Sequence, residues 1–422
     1  MPSERRRSTL RRLALVTAGV FASAAVVPSP TLDADNAQRC VPVAQSATPT
    51  ASPAARPAGP SPSECPANGA YAPSGTAARP PAFGAYLHYG PPGVELMKRL
   101  SQWLDGSEVR VGHTYLPGDL WRNIEGAPGF LDSWADWRRA KDDRLFVLNV
   151  PMMERNEVHV PNTRVRRLLR RAAAGEFDQH FRALAQHLVD LGAPDTILVL
   201  GWEMNGITYT HRCGPDPEAW KTYWRRIVTV MRSVPGQKFQ FDFAPSRGTD
   251  AIPWPECYPG DDVVDIIGMD SYDQPHGISF DGQVSEPYGL QDQVNFAKTH
   301  GKPISYPEWG LYRNGDSATY MLRMLAWMDE HKPLYNTITD YCPHGVWLCS
   351  TNPRASALYR AALAGQHAPD PEAEPSVPTS PAPTAPLEPH PTPNPTPASD
   401  PTATATPTQT PDCACTPTEP PD

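Results

Sequence analysis

The chain has 422 residues and a formal net charge of −9 at pH 7, which argues against a nucleic-acid or anionic-lipid binder working through a basic surface. All eleven Trp lie between Trp103 and Trp347, and fourteen of the fifteen Tyr between Tyr86 and Tyr359. Residues 367–422 hold 18 Pro and no aromatic residue, so that segment cannot bury a core, and the chain is read as one globular domain of about 285 residues with non-globular flanks.

Taken in order, Arg5, Arg6, Arg7, Arg11 and Arg12 precede an apolar run from Leu13 to Val27 that contains Ala22-Ser23-Ala24 as a cleavage site. This is the pattern of a signal peptide, placed at residues 1–27. The run is short and Ala-rich for a membrane span, so the sequence predicts a secreted protein with no span after cleavage, with anchoring by an uncleaved segment as the minor alternative. The paired arginines leave the general secretory and twin-arginine routes both open. Loss of residues 1–24 removes five Arg and one Glu and moves the formal charge from −9 to −13. Residues 28–80 form a Pro/Ala/Ser-rich linker, residues 81–366 the globular domain, and residues 367–422 a Pro/Thr-rich disordered tail. A plain solvated extension is one reading of that tail, and cell-wall association is the other.

Eight Cys in an exported chain fit disulfides better than a metal cluster, because no Cys-x-x-Cys or His-x-x-x-His spacing occurs. Cys342–Cys349 is the first pairing expected, Cys213–Cys257 the second and Cys40–Cys65 the third; Cys413 and Cys415 form a tight pair or remain free or intermolecular.

Within the domain, Phe83–Tyr89 reads as a strand, followed by a helix carrying Val94, Met97, Leu100 and Leu104 at helical spacing. Val109–Val111 is a second strand, Leu131–Lys141 a helix, and Leu145–Val150 a third strand. Phe177, Phe181, Leu184, Leu188 and Leu191 mark one face of a helix that Gly192 ends. The fourth strand, Thr196–Leu200, is apolar on both faces and stops at Gly201-Trp202-Glu203-Met204-Asn205-Gly206. Asp216-Pro217-Glu218 reads as an N-cap and first turn, with Trp220, Tyr223, Trp224, Ile227 and Met231 on the core face of the helix behind it. Strands then follow at Phe239–Phe243, Val263–Asp270 and Pro303–Tyr306, with an eighth ending near Val346-Trp347-Leu348. Helices are expected at Leu290–His300, around Met321–Met328, and at Ala355–Leu363. Eight strands alternating with helices predict an α/β fold, a (β/α)8 TIM barrel with disordered N- and C-terminal extensions. A doubly wound sheet competes, but the dinucleotide-binding version lacks its Gly-x-Gly-x-x-Gly.

Glu203 ends the fourth strand, and Glu308, 105 residues on, follows the seventh in Pro307-Glu308-Trp309-Gly310. Burying a carboxylate without a partner is costly, so two of them at strand ends, each beside a Trp and a Gly, call for a functional explanation. Two carboxyls facing each other across a barrel mouth suit retaining glycoside hydrolysis, in which one protonates the leaving oxygen and the other attacks the anomeric carbon. Arg110 is read as ending the second strand and either orienting a carboxylate or forming a structural ion pair. His113, His88 and Asn205 are candidates to line the cleft, and Trp309, Trp121 and Tyr115 are candidates to stack on sugar faces. Asp242 and Asp270 could suggest a metal, yet no clustered spacing supports one, and the mechanism needs no metal or cofactor.

The Gly201–Gly206 segment, Ile267-Gly268-Met269-Asp270-Ser271-Tyr272-Asp273 and Pro307–Gly310 resemble glycoside hydrolase family 26, a clan A family of β-mannanases and relatives. The resemblance covers about residues 83–364. It implies Glu203 as acid/base, Glu308 as nucleophile, Tyr272 as a hydrogen-bond donor to Glu308, and Trp347 as the platform under the sugar being cleaved. Trp202 stands where well-studied mannanases of that family carry a His, and only Ile207-Thr208-Tyr209 represents the aromatic-rich segment that follows. Trp202 is thereby a substrate-binding candidate as well. The expectation is a secreted, monomeric retaining glycosidase that is endo-β-1,4-mannanase-like. A β-1,3-xylan or mixed-linkage glucan is an alternative polysaccharide substrate, and a noncatalytic carbohydrate-binding cell-wall protein on the same barrel is the rival class.

Overall fold

Apolar and β-branched runs form strands and the helical-period stretches between them form helices across residues 81–366, the part of the chain that the computed structural model describes. The strands are β1 (Ala82–Tyr86), β2 (Val111–Tyr115), β3 (Leu145–Val150), β4 (Ile197–Leu200), β5 (Gln240–Phe243), β6 (Ile266–Gly268), β7 (Ser271–Tyr272), β8 (Ile304–Gly310) and β9 (Tyr335–Thr339). Every pairing is parallel, and β1 joins β9 from Ala82↔Tyr335 to Tyr86↔Thr339, so the sheet closes on itself. The two-residue β7 continues the line of β6 and pairs only with Trp309 and Gly310 at the far end of β8. The barrel therefore has eight strand positions, a (β/α)8 architecture.

The helices are α1 (Gly90–Trp103), α2 (Trp121–Ile124), α3 (Asp132–Arg139), α4 (Asn162–Ala173), α5 (Asp178–Asp190), α6 (Pro217–Arg232), α7 (Phe280–Ser285), α8 (Leu290–Thr299), α9 (Ala318–His331) and α10 (Pro353–Leu363). None of the described helices is long and apolar enough to cross a membrane. Asp216 caps α6, its carboxylate accepting from the Ala219 N–H at 3.3 Å, and Pro217 opens the first turn. Trp220, Tyr223 and Trp224 are fully buried against the sheet.

Strand alternation divides the core in two. Val111, Val147, Ile197, Val199, Ala244, Ile266 and Tyr335 fill the barrel interior, while Leu148, Leu198, Leu200, Phe241 and Ile338 face the helices. Each fully buried side chain of this size contributes about 1.5–3 kcal/mol. Gly84 on β1 permits the closeness of β2, since a Cβ there would lie 1.9 Å from the Val111 carbonyl oxygen.

Two expectations are corrected, and one helix has no counterpart among them. The eighth barrel strand is Tyr335–Thr339, not a segment ending near Val346–Leu348. Tyr335-Asn336-Thr337-Ile338-Thr339 carries polar residues on both faces and so gives no apolar run to read. The Val346–Leu348 segment is instead a loop whose three N–H groups converge on Asp340 Oδ1 at 2.7, 2.9 and 3.2 Å. Arg110 precedes β2 rather than ending it, because the strand runs from Val111 to Tyr115. Finally, α4 escaped the sequence reading because its abundant Arg residues mask the thin apolar face of Val165, Leu169 and Ala172.

Two disulfides close as anticipated, Cys213–Cys257 and Cys342–Cys349. The signal peptide, the linker, the tail and the Cys40–Cys65 and Cys413–Cys415 pairings lie outside the described residues.

Candidate active site

Chemistry in such a barrel belongs to the C-terminal ends of its strands. Beyond β4 the chain turns sharply: Gly201 has φ 55° and Glu203 φ 50°, a left-handed conformation uncommon for a residue with a side chain. Neighbouring loops hold that turn. The Glu203 N–H donates to the Ala244 carbonyl at 2.9 Å, and its own carbonyl accepts from the Gly206 N–H at 3.0 Å. Asn205 is fully buried. Its Nδ2 donates to the Ser246 carbonyl at 3.0 Å and its Oδ1 accepts from the Ser246 N–H at 2.9 Å. Both ends of its carboxamide are thus spent on the β5 loop, and Asn205 braces the site rather than facing a substrate.

Glu308 owes its orientation to an irregularity in β8. The register with β9 shifts between Tyr306 and Trp309, so these two residues, three apart, both face the helix layer. Trp309 is fully buried and donates to Asn336 Oδ1 at 3.2 Å, and the Tyr306 hydroxyl accepts from the Trp327 indole at 2.6 Å. Trp309 is therefore core, not a sugar platform. Pro307, which has no N–H to offer a ladder, occupies the bulge, and Glu308 turns inward to the barrel mouth.

The Glu308 carboxylate collects donors from several strands. Tyr272 OH donates to Oε2 at 2.7 Å and Asn149 Nδ2 to Oε1 at 3.1 Å, and the Tyr115 hydroxyl also reaches it. A second tier fixes the donors. Thr339 Oγ1 lies 2.8 Å from the Tyr272 hydroxyl, and His113 Nε2 lies 2.9 Å from Asn149 Oδ1, with Thr337 Oγ1 at 3.0 Å from its other ring nitrogen. Burial lowers the His113 pKa to about 4, so the ring is neutral and donates to Asn149. His113 acts on Glu308 through Asn149 and does not itself line the cleft.

Electrostatics separates the two carboxyls. Burial, and then the charge of Glu308, pushes the Glu203 pKa up to about 8, against weaker opposition from hydrogen bonds with Ser246 and Tyr209. Burial also raises Glu308, but Tyr115, Tyr272 and Asn149 all stabilise its ionised form. Near neutral pH the shared proton belongs on Glu203, leaving Glu308 the anion. A third carboxyl, Asp270, is buried beside both. Desolvation first, then the charges of Glu308 and Glu203, holds its pKa well above the usual carboxylate range. Asp242 lies in the barrel interior, accepting from Ser305 Oγ at 2.5 Å and Tyr335 OH at 2.6 Å.

The remaining sequence candidates fall in different places. Trp202 is 3% exposed, enclosed by the rings of Tyr209 at 5.0 Å, His211 at 5.2 Å and Tyr115 at 5.5 Å; it fills the barrel mouth from within and presents no free face. Trp347 packs outward, its ring 6.4 Å from Trp103 of α1 with Arg99 over it at 5.9 Å, because the Asp340-centred loop turns it to the helix layer. Trp121 stacks on His180 at 4.2 Å, also in the helix layer. Arg110 stands at the N-terminal end of β2, where its N–H donates to Phe83 and its carbonyl accepts from Leu145; that is the opposite end of the barrel from Glu308. His88 is exposed, with Nδ1 3.1 Å from the Tyr89 carbonyl.

The cleft wall is instead built of tyrosines. Tyr86 sits edge-on to Tyr115 at 4.4 Å, Tyr89 at 5.6 Å and Tyr341 at 6.1 Å. Burial raises the pKa of each of these phenols, and the Glu308 charge adds to the effect. Of the groups missed in the sequence, Asn149 carried the clearest signal, a polar residue next to the end of an otherwise apolar strand.

The model for Glycosyl hydrolase family 26 matches residues 195–307, a span that begins just ahead of β4, contains Glu203 and Tyr272, and stops one residue short of Glu308. Among solved structures, the modular endo-β-1,4-mannanase from Cellulomonas fimi aligns at TM-score 0.52 and 18% identity, over 68% of this chain and 71% of that one. A double mutant of an endo-β-1,4-mannanase from Cellulomonas fimi aligns at TM-score 0.51 and 17% identity, over 68% and 71%. At that identity the likeness speaks for the barrel alone. No curated protein sequence matches the chain.

Proposed function

We propose that the chain is a glycoside hydrolase of family 26, a reading supported by the match of that family's model to residues 195–307, and that it is a retaining enzyme cleaving a β-linked polysaccharide, β-1,4-mannan first, from within the chain. The observation that carries the reading is the pair of buried carboxyls beyond β4 and on β8, supported unequally: Glu308 is held by Tyr272, Asn149 and Tyr115, all of which favour its anion, while burial and the Glu308 charge push Glu203 up to about 8. Glu203 delivers its proton to the glycosidic oxygen while Glu308 attacks the anomeric carbon from the opposite face. The bond to the leaving sugar breaks and a covalent glycosyl–Glu308 ester forms. Glu203, now ionised, takes a proton from water, which displaces Glu308 and regenerates both groups. Tyr272 orients Glu308 for attack and gives up part of its hydrogen bond as the ester forms.

Mannan is the first choice because the aligned solved structures are endo-β-1,4-mannanases. Another β-glycan, a β-1,3-xylan or mixed-linkage glucan, is the second reading, favoured by the buried Trp202 and by a cleft wall of tyrosines without an indole platform. The presence of both carboxyls, each with its own supporting shell, speaks against a noncatalytic carbohydrate-binding protein. Export through residues 1–27 is part of the proposal, supported by two disulfides, which persist in oxidising compartments.

The test is incubation of the purified protein with galactomannan, glucomannan, β-1,3-xylan and mixed-linkage glucan, with product sizes and the anomeric proton signals followed in time. Internal cleavage of mannan with the β-anomer appearing first is expected. An α-anomer appearing first would overturn the retaining mechanism, and release from a different glycan alone would overturn the substrate.

A further inference from the structure

Glu203 stands on a backbone turn that its own sequence does not stabilise. Gly201 and Glu203 are both left-handed, at φ 55° and 50°, and a residue with a side chain stays in that region only where the surrounding structure holds it there. The peptide unit between Trp202 and Glu203 is fixed at both ends. Its N–H donates to the Ala244 carbonyl at 2.9 Å. Its carbonyl lies 2.9 Å from His211 Nε2, a fully buried imidazole.

His211 is in turn fixed from every side. Its Nδ1 faces the Met152 N–H at 3.4 Å, which makes Nδ1 the acceptor and Nε2 the nitrogen that carries the proton. Its own carbonyl accepts from the Trp220 indole at 2.6 Å, tying it to α6. Its ring lies 5.2 Å from Trp202 and 5.1 Å from Tyr209. Burial lowers its pKa to about 3, so the ring stays neutral at working pH and does not exchange protons with substrate.

We propose that His211 is a positioning residue for the acid/base: by holding the Trp202 carbonyl it sets the plane of the Trp202–Glu203 peptide, and with it the direction in which the Glu203 carboxyl points. The inference rests on the reading of Glu203 as the proton donor. It connects α6, through Trp220 and His211, to the reacting proton without His211 touching the sugar. A misplaced acid harms most those substrates whose leaving group needs a proton, and this separates positioning from a general loss of structure.

The experiment compares His211→Leu with the unaltered protein on galactomannan and on 2,4-dinitrophenyl β-mannobioside, whose leaving group departs without protonation; if the glycan screen gives another sugar, the corresponding dinitrophenyl glycoside takes its place. For His211→Leu, kcat on polysaccharide should fall about 30- to 100-fold, while the rate of the glycosylation step on the activated substrate falls less than about threefold. His211→Gln, which can return an N–H near the position of Nε2, should recover most of the difference. Glu203→Ala serves as the reference and should show the same split, enlarged, with rescue by azide on the activated substrate.

If Glu203→Ala loses both substrates equally, the acid/base reading fails. If Glu203→Ala shows the split and His211→Leu does not, the positioning inference alone fails. Should His211→Leu not fold, Trp220→Phe, which frees the His211 carbonyl, and His211→Gln carry the test. A split in Trp220→Phe that is larger than that of His211→Gln supports the inference, and equal loss on both substrates overturns it.

Discussion

Glu308 stands on a strand and receives hydrogen bonds from groups on β2, β3 and β7, whereas Glu203 stands beyond a strand on a left-handed turn, facing Ser246 and Tyr209 from loops. The same burial acts on both, yet the donors at Glu308 favour its anion, and that anion then favours the proton on Glu203. The two carboxyls are thus distinguished by support rather than by residue type. A nucleophile needs a fixed anion. An acid that later becomes a base needs a pKa near the working pH, which comes from desolvation and a neighbouring charge.

Removing the anion should have the largest effect. Glu308→Ala is expected to lower kcat on polysaccharide by at least about 10⁴-fold while leaving substrate binding measurable by calorimetry, because no other described carboxyl has its donors. Glu203→Ala should cost about 10²–10⁴-fold on polysaccharide, the usual contribution of a general acid. The pH profile follows from the same contrast. In the proposed reaction protonated Glu203 is the active form, so kcat/KM should decline as pH rises through about 8, tenfold per unit above it. The sign for stability runs the same way. The folded pKa lies above the ordinary value of 4.5, so the contribution of this group is fully present below about 4.5 and is lost as pH rises through about 8, which chemical denaturation at several pH values would measure.

Tyr272→Phe is a finer probe. It removes one of the donors at Glu308, and a hydrogen bond to a charged group contributes about 1.5–3 kcal/mol, or about 10- to 150-fold in kcat. The loss should fall on formation of the glycosyl–enzyme more than on binding, so KM should stay within about threefold. A comparable loss in KM would mean that Tyr272 holds sugar rather than carboxylate.

The sequence displayed the barrel where hydrophobic periodicity was strong. β4 is four apolar residues facing two cores, and the turn behind it carries Glu203; α6 announces itself with Asp216 and Pro217. Legibility failed where polar residues point inward. β9 was invisible because Thr337 and Thr339 serve the site and Asn336 serves Trp309, and Asn149 was passed over although it touches Glu308. Adjacency misled in the other direction. Trp309 neighbours Glu308 in sequence, yet strand alternation sends it to the helices, and the bulge that aims Glu308 has no composition signature beyond Pro307. A β2 boundary misplaced by a few residues carried Arg110 from one end of the barrel to the other. The tyrosines of the cleft come from β1, β2 and the loops after β1 and β9, and no local pattern gathers them.

Trp347 gives the smallest and most discriminating expectation. An indole under the reacting sugar would lose about 1–3 kcal/mol of binding on truncation, visible as a rise in KM of about five- to 150-fold. The ring in this structure instead lies on Trp103 with Arg99 above it, and its backbone N–H is held by Asp340. Trp347→Ala should therefore change kcat/KM less than about threefold and lower the unfolding free energy by about 2–4 kcal/mol, the cost of emptying a half-buried aromatic site. A large rise in KM without loss of stability would mean that the Asp340 loop turns over when glycan binds, bringing the indole from α1 into the cleft.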